Sequence, residues 1–198
     1  GGMQLELKRI SKLFGMLRAN DCVDLTVQSG SIHAVLGENG AGKSTLMKIT
    51  AGYLRRTSGE ILIDGRAVVF RSPAEAAAHG IGMLYQDPLD FPHLSVLENF
   101  MLGQVHGLRW AHAGLRQTLD NLSLQFGFKL DPHSPVARLS VGERQQLEML
   151  RLLSLGIRLL ILDEPTTGIS AVQKEVLFKA LKQLTRQGKS VLLVSHKL

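Results

Sequence analysis

GENGAGKST, residues 37–45, is the stretch on which the reading of this chain turns. It matches G-x-x-x-x-G-K-[ST] and lies between SIHAVLG (31–37), which reads as a strand, and LMKITAGYL (46–54), which reads as a continuing helix. That strand–loop–helix context is what the motif requires to mean a phosphate cradle. Gly37, Gly40 and Gly42 let the backbone turn its N–H groups toward phosphate oxygens where a Cβ would block the approach. Glu38, Asn39, Ala41 and Thr45 complete the loop. The positive end of the helix adds to the attraction. Lys43 reaches toward the β- and γ-phosphates of a nucleoside triphosphate, and Ser44 is a ligand for Mg²⁺.

Far downstream, LLILDEP (159–165) places Asp163 and Glu164 at the end of an apolar run. In an open α/β sheet, ligands gather at the carboxyl ends of strands, on the side where a phosphate loop also lies. Asp163 is therefore a candidate for the Mg²⁺ shell. Glu164 is a candidate to accept a proton from, or to orient, the water that attacks the γ-phosphate. Without the loop, the same pair reads as a solvated strand end before a proline turn.

Four more places deserve a role or a dismissal. Gln86, in GMLYQD (82–87), follows a short apolar strand and could touch Mg²⁺ or the attacking water, although a solitary glutamine is ordinarily a surface residue. His196, closing the run SVLLVSH (190–196), could bond the γ-phosphate as a neutral imidazole, or be structural or solvated. Phe14, upstream of the loop, could stack on adenine or fill a core. LSVGE (139–143) reads as a helix N-terminus with Ser140 as cap and Gly142 exposing backbone N–H groups, in a helix running to about Leu155. Ser140, Gly142 and Gln145 show no apolar role in the sequence.

Composition bounds the rest. The chain has 198 residues, 44% apolar and 20% charged, as an ordinary globular domain has. No run approaches the ~18 apolar residues of a membrane span. No secretory or transit segment is apparent, and Gly1-Gly2 before Met3 reads as an expression remnant. The single Cys22 fits a reducing, cytosolic setting. A net charge of +6 invites a nucleic-acid reading, but the basic residues are scattered and aromatics make up only 5%. Direct nucleic-acid binding is not expected.

Apolar runs alternating with helices predict a parallel α/β sheet. Leu5, Leu7 and Ile10, then Cys22, Val23, Leu25 and Val27, then Ile61 to Ile63, predict short strands in an antiparallel flank. SPAEAAAHG (72–80) predicts a helix capped by Ser72 and closed by Gly80. A helical insertion is expected at about 88–150, and the chain is expected to be one nucleotide-binding domain over 1–198, cut short after His196.

Loop, Gln86, LSVGE, LLILDEP and His196, in that order and spacing, resemble the ATPase subunit of an ATP-binding cassette (ABC) transporter from about Gln4 onward. The resemblance implies a P-loop NTPase fold of ABC type, with a RecA-like parallel core, an N-terminal antiparallel β subdomain and an inserted helical subdomain. It implies ATP and Mg²⁺ as ligands, with Lys43, Gln86, Glu164 and His196 catalytic and Ser44, Gln86 and Asp163 at the metal. It also implies head-to-tail pairing with a second cassette, so that Ser140 and Gly142 of one complete the ATP site of the other. Residues 87–103 would receive a membrane permease subunit, with a solute-binding protein in the intact system. The chain would lie in the cytoplasm, peripheral to the inner face of the cell membrane.

GENGAGKSTLMKI, SPAEAAAHGIGMLYQ and LSVGERQQLEML look most like the first cassette of simple-sugar or nucleoside importers. A soluble ABC-type ATPase of translation or DNA repair, or a regulatory cassette that binds ATP without hydrolysis, are the alternatives. Three departures stand out. Val141 replaces a signature glycine, Glu143 replaces the usual glutamine, and Ser170 stands where the family usually has Asp. Glu143 is expected to turn outward along its helix, away from any phosphate.

Overall fold

Leucine, isoleucine and valine dominate the runs at 159–163 and 190–195, and both lie in the middle of a parallel sheet where neither face meets water. The computed structural model describes residues 2–36, 41–85, 91–102 and 112–195. In chain order its elements are β1 (Leu5–Phe14), β2 (Leu17–Val27), β3 (Ile32–Leu36), α1 (Ala41–Thr50), β4 (Ser58–Ile63), β5 (Arg66–Val68), α2 (Pro73–Ala78), β6 (Ile81–Leu84), α3 (Val96–Leu102), α4 (His112–Phe126), α5 (Val141–Ser154), β7 (Leu159–Asp163), α6 (Ala171–Arg186) and β8 (Ser190–Ser195). Two sheets form, an antiparallel one in the order β2-β1-β4-β5 and a parallel one in the order β3-β8-β7-β6.

The chain divides into two compact units. The first comprises Gly1–Tyr85, Ile157–Pro165 and Leu184–Leu198 and holds both sheets. Its core joins Leu5, Leu7 and Ile61 of the antiparallel sheet, Met47 and Ile49 of α1, and Ile161 and Leu192 of the parallel sheet. Burying each such side chain contributes about 1.5–3 kcal/mol. The second unit comprises Gln86–Gly156 and Thr166–Gln183. There α3 packs against α4 and α5, with Phe100, Leu119, Met149 and Leu150 fully buried. Asn99 ties the segment before α3 in place: its Oδ1 accepts from the Phe91 N–H at 2.8 Å and its Nδ2 donates to the Phe91 carbonyl at 3.0 Å. Among the described residues, no helix is long and apolar enough to cross a membrane.

Two expectations need correction. The N-terminal strands are not short, β1 having 10 residues and β2 11. A bulge explains why the sequence looked broken. The pairing shifts between Leu7 and Ile10, where Arg9 adopts a φ of 50°, and the extra residue returns Ile10 to the buried face shared by Leu5 and Leu7. Of the apolar set in β2, Val27 is buried, while Cys22 is exposed at its own positive φ of 46°. Helix α1 also stops at Thr50, four residues before the end of the stretch predicted from LMKITAGYL, because Gly52 turns the chain at φ 85°. Helix α2 forms as expected, with the Ser72 hydroxyl accepting from the Glu75 N–H.

Candidate functional site

The described part of the phosphate motif is the first turn of α1, which begins at Ala41. Gly37, Glu38, Asn39 and Gly40 lie outside the described residues, as do Gln86 and His196. Gly42, Lys43, Ser44 and Thr45 follow one another in that turn, and Thr45 is buried at 7% exposure. Asp163 and Glu164 sit at the carboxyl end of β7, which is separated from β3 by the single strand β8. The two places meet. The Ser44 hydroxyl donates to Asp163 Oδ2 across 3.1 Å, joining residues 119 apart in the chain.

That separation fits a shared cation. Two oxygens at adjacent corners of an octahedral Mg²⁺ shell lie about 3 Å apart. Both are hard oxygen donors, of the kind Mg²⁺ takes when phosphates and water fill the rest of its shell. Among the described residues no cluster of three or more His, Cys, Asp or Glu could form a metal cage. A pair of protein oxygens with open coordination suits a metal that arrives with its phosphates.

Glu164 has a backbone φ of 49°, although it has a side chain and precedes Pro165. Both features disfavour that conformation, at a cost on the order of 1–2 kcal/mol. Its N–H donates to the Val194 carbonyl at 2.8 Å, so β8 helps to hold the turn. Strain of this kind persists where the surroundings over-determine it, and it tends to gather at active sites. Tyr85, at the end of β6, meets Tyr53 edge to face with ring centroids 4.9 Å apart. Burial pushes the Tyr85 hydroxyl well above the usual phenol range, and Tyr53 and then Asp163 push it further. The phenol therefore stays neutral beside the carboxylate.

Asn20 is a residue that the sequence did not single out. It is 6% exposed on β2, and its Nδ2 donates to the Gly42 carbonyl at 2.9 Å. That partner fixes which end of the amide carries nitrogen. Among the described residues its Oδ1 is buried without a hydrogen-bond partner. A Cβ on Gly42 would lie 2.8 Å from the Ala19 carbonyl oxygen, so β2 presses directly on the first turn of α1. Asn20→Asp is expected to cost about 3 kcal/mol at neutral pH, because the buried group loses its donor and gains a charge. The acid's pKa would be raised by folding, so the loss should shrink as pH falls and the protonated acid regains a donor. Denaturant unfolding at two pH values checks this, and a pH-independent loss would contradict it.

Phe14, at the end of β1, is 45% exposed, with Lys12 Nζ 5.1 Å from its ring centroid. It is not a core residue. An open aromatic face is what stacking on adenine needs.

LSVGE lies in the second unit and opens α5, with Ser140 as N-cap. The Ser140 hydroxyl accepts from the Glu143 N–H at 3.2 Å, and Glu143 Oε1 accepts from the Ser140 N–H at 3.0 Å. This reciprocal box corrects the expectation for Glu143. Its carboxylate folds back over the helix start instead of turning outward, because a helix start leaves backbone N–H donors without intrahelical partners. Gln145 is also corrected: at 8% exposure it is buried in the second unit. Gly142 is buried because the Gln173 side chain covers it, and an added Cβ would lie 2.5 Å from Gln173 Cδ. Gln173 was missed by the sequence reading, yet Ser170-x-x-Gln173 is a capping-box spacing and was a usable signal.

Comparison with known proteins places these features. The sequence pattern described as ABC transporter matches residues 21–167. The ribose import ATP-binding protein RbsA of Lacticaseibacillus paracasei is 39% identical over 200 residues, covering 99% of this chain and 40% of that protein. The arabinose import ATP-binding protein AraG 1 of Burkholderia thailandensis is 39% identical over 197 residues, covering 98% of this chain and 39% of its own length. The chain thus spans about two fifths of the length of these curated relatives. Among solved structures, a nucleotide-free ATP-binding cassette from an ABC transporter superposes with a TM-score of 0.87 at 23% identity, covering 99% of this chain and 82% of that one. The fold is that of the P-loop ABC cassette, with its parallel sheet, antiparallel flank and helices, and the chain belongs to the ABC transporter family as an ATP-binding cassette.

Proposed function

We propose that this cassette binds ATP with Mg²⁺ and hydrolyses it to power the import of a small sugar, a pentose such as ribose or arabinose being favoured by the relatives' names. The observation that carries the reading is the convergence of Ser44 and Asp163 at the carboxyl end of the parallel sheet. In this reading the backbone from Gly37 to Ala41, with Gly42 and Thr45, cradles the phosphates, and Lys43 holds the β- and γ-phosphates. Ser44 and Asp163 hold Mg²⁺, with Gln86 as a further ligand. The metal, when bound, neutralises charge on the phosphate oxygens. Phe14 stacks on the adenine.

Glu164 takes the proton from a water molecule whose oxygen bonds to the γ-phosphorus while the bond to the β–γ bridging oxygen breaks. ADP leaves and phosphate is formed. His196 orients the γ-phosphate, and Gln86 reports its presence to the inserted helical subdomain. Such transfer depends on positioning and charge stabilisation more than on covalent chemistry by the protein.

Two cassettes pair head to tail, and Ser140 with the Gly142 N–H of one donates to the γ-phosphate held by the other. The permease docks on residues 87–103. On the described part of that segment Phe91 and Leu102 are 60% and 54% exposed, leaving apolar side chains open to a partner. A solute-binding protein delivers the sugar from outside, and the cassette sits peripherally at the cytoplasmic face. We place the domain boundaries at 1–198 for the nucleotide-binding domain and about 88–150 for its helical insertion.

Lys43→Ala tests the phosphate loop. It should weaken ATP binding by about 10- to 100-fold, the worth of a charge-assisted contact, as read by titration with a fluorescent nucleotide. Unchanged affinity would remove the loop from the proposal. ATP-dependent ribose uptake into vesicles holding the full-length protein and its permease tests the transport role, and uptake indifferent to ATP would refute it.

A further inference from the structure

Two capping boxes in the second unit are joined at a single side chain. Besides the Ser140–Glu143 box at the start of α5, the Ser170 hydroxyl accepts from the Gln173 N–H at 3.1 Å, and Gln173 Oε1 accepts from the Ser170 N–H at 3.2 Å. The Ser170 N–H fixes the amide's orientation, and its nitrogen then points the other way. Gln173 Nε2 donates to Ser140 Oγ across 2.8 Å, linking residues 33 apart.

The Ser140 hydroxyl now has a defined state. A serine oxygen carries one hydrogen and two lone pairs. Both lone pairs accept, one from the Glu143 N–H at 3.2 Å and one from Gln173 Nε2 at 2.8 Å. The hydrogen is left to point away from both, as a donor. A phosphate offers only acceptors, so a donor is what it requires. The same amide lies over Gly142, where any Cβ would come within 2.5–2.8 Å of Gln173 Cδ, Oε1 and Nε2.

We propose that Gln173 is a positioning residue for ATP hydrolysis: its amide fills the second lone pair of Ser140 and so presents the Ser140 hydroxyl proton to the γ-phosphate held by the paired cassette. The inference rests on the role given to Ser140 under the proposed function. It goes beyond capping, because glutamate at this position would serve the α6 cap as well as glutamine does. A carboxylate would accept from the Ser170 N–H but could not donate to Ser140. It would accept the Ser140 proton instead and withdraw it from the phosphate.

The test uses the full-length protein assembled with its permease, reading melting temperature, nucleotide affinity at the cassette's own loop, and kcat for ATP. Gln173→Met keeps the shape without a donor and should lower kcat about 10-fold with affinity unchanged, since one oriented contact to a charged group is lost. Added to Ser140→Ala, it should cause no further loss, because both act through the same hydroxyl. Gln173→Glu should keep or raise the melting temperature, as acidic caps do, while lowering kcat at least as far as Gln173→Met. A purely structural role predicts the opposite order, with glutamate harmless to both readouts and methionine harmful to stability. Wild-type kcat in Gln173→Met, or losses that multiply with Ser140→Ala, would overturn the inference while leaving Ser140's role intact. Wild-type kcat in Ser140→Ala would instead remove that role, and the inference with it.

Discussion

Glu164→Gln should bind ATP as the unsubstituted protein does and hydrolyse it about 100- to 10,000-fold more slowly, the usual worth of a general base. The amide matches the carboxylate in shape but cannot take a proton from water, so ground-state binding is spared. The backbone gives a second and independent readout. Glutamine, like glutamate, must occupy a φ of 49° before Pro165, so its stability should hardly change. Glu164→Gly should lose hydrolysis equally yet melt higher, because relieving a left-handed non-glycine residue gains about 1 kcal/mol. Opposite movement of activity and stability at one position would mark it as held in strain for function. Single-turnover hydrolysis and thermal unfolding measure the two. Ordinary turnover in Glu164→Gln would dismiss the residue as the base.

Ser140→Arg should leave ATP on the cassette's own loop untouched and bring hydrolysis in the assembled pair down at least about 100-fold, the cost of losing one donor at a transferring group. Three effects add. The hydroxyl donor disappears, a long side chain enters the space meant for the partner's phosphate, and the cap of α5 is lost. The last costs only about 1 kcal/mol of stability, which a melting curve can separate from the catalytic loss. Photolabelling by an ATP analogue at the cassette's own loop should persist, whereas trapping of nucleotide at the paired loop should vanish. Full paired hydrolysis would reduce LSVGE to a helix cap and leave Gln173 with nothing to orient.

Features carried by local spacing were the legible ones. The phosphate motif, the acidic pair after an apolar run and the Ser72 and Ser140 helix starts all lie within a few residues of their partners. The box at Ser95 has the same spacing but was not singled out in the sequence; there hydrogen bonds from Ser95 hold the Glu98 carboxyl below the usual range. What remained hidden was non-local. Asn20 reads as one polar residue among several in β2, and only folding brings it onto Gly42, 22 residues away. Gln173 signals its own cap, but nothing in the sequence says that its nitrogen meets Ser140. The β1 bulge disguised a ten-residue strand because Leu7 and Ile10, three apart, share a face that strict alternation denies them.

The strand order of the parallel sheet has a consequence for the nascent chain. β3, which leads into the phosphate loop, pairs with β8 and with no other described strand. Between the end of β3 and the start of β8 the ribosome must add roughly 150 residues, about 10–30 s of synthesis at common rates. Throughout that interval β3 has an unpaired edge, and Ile32 and Leu36 are exposed even in the finished fold, at 42% and 53%. The carboxyl end of the sheet is assembled only when β8 slots between β3 and β7. A chain halted before β8 would therefore lack the strand that joins the phosphate-loop side of the sheet to the Asp163 side.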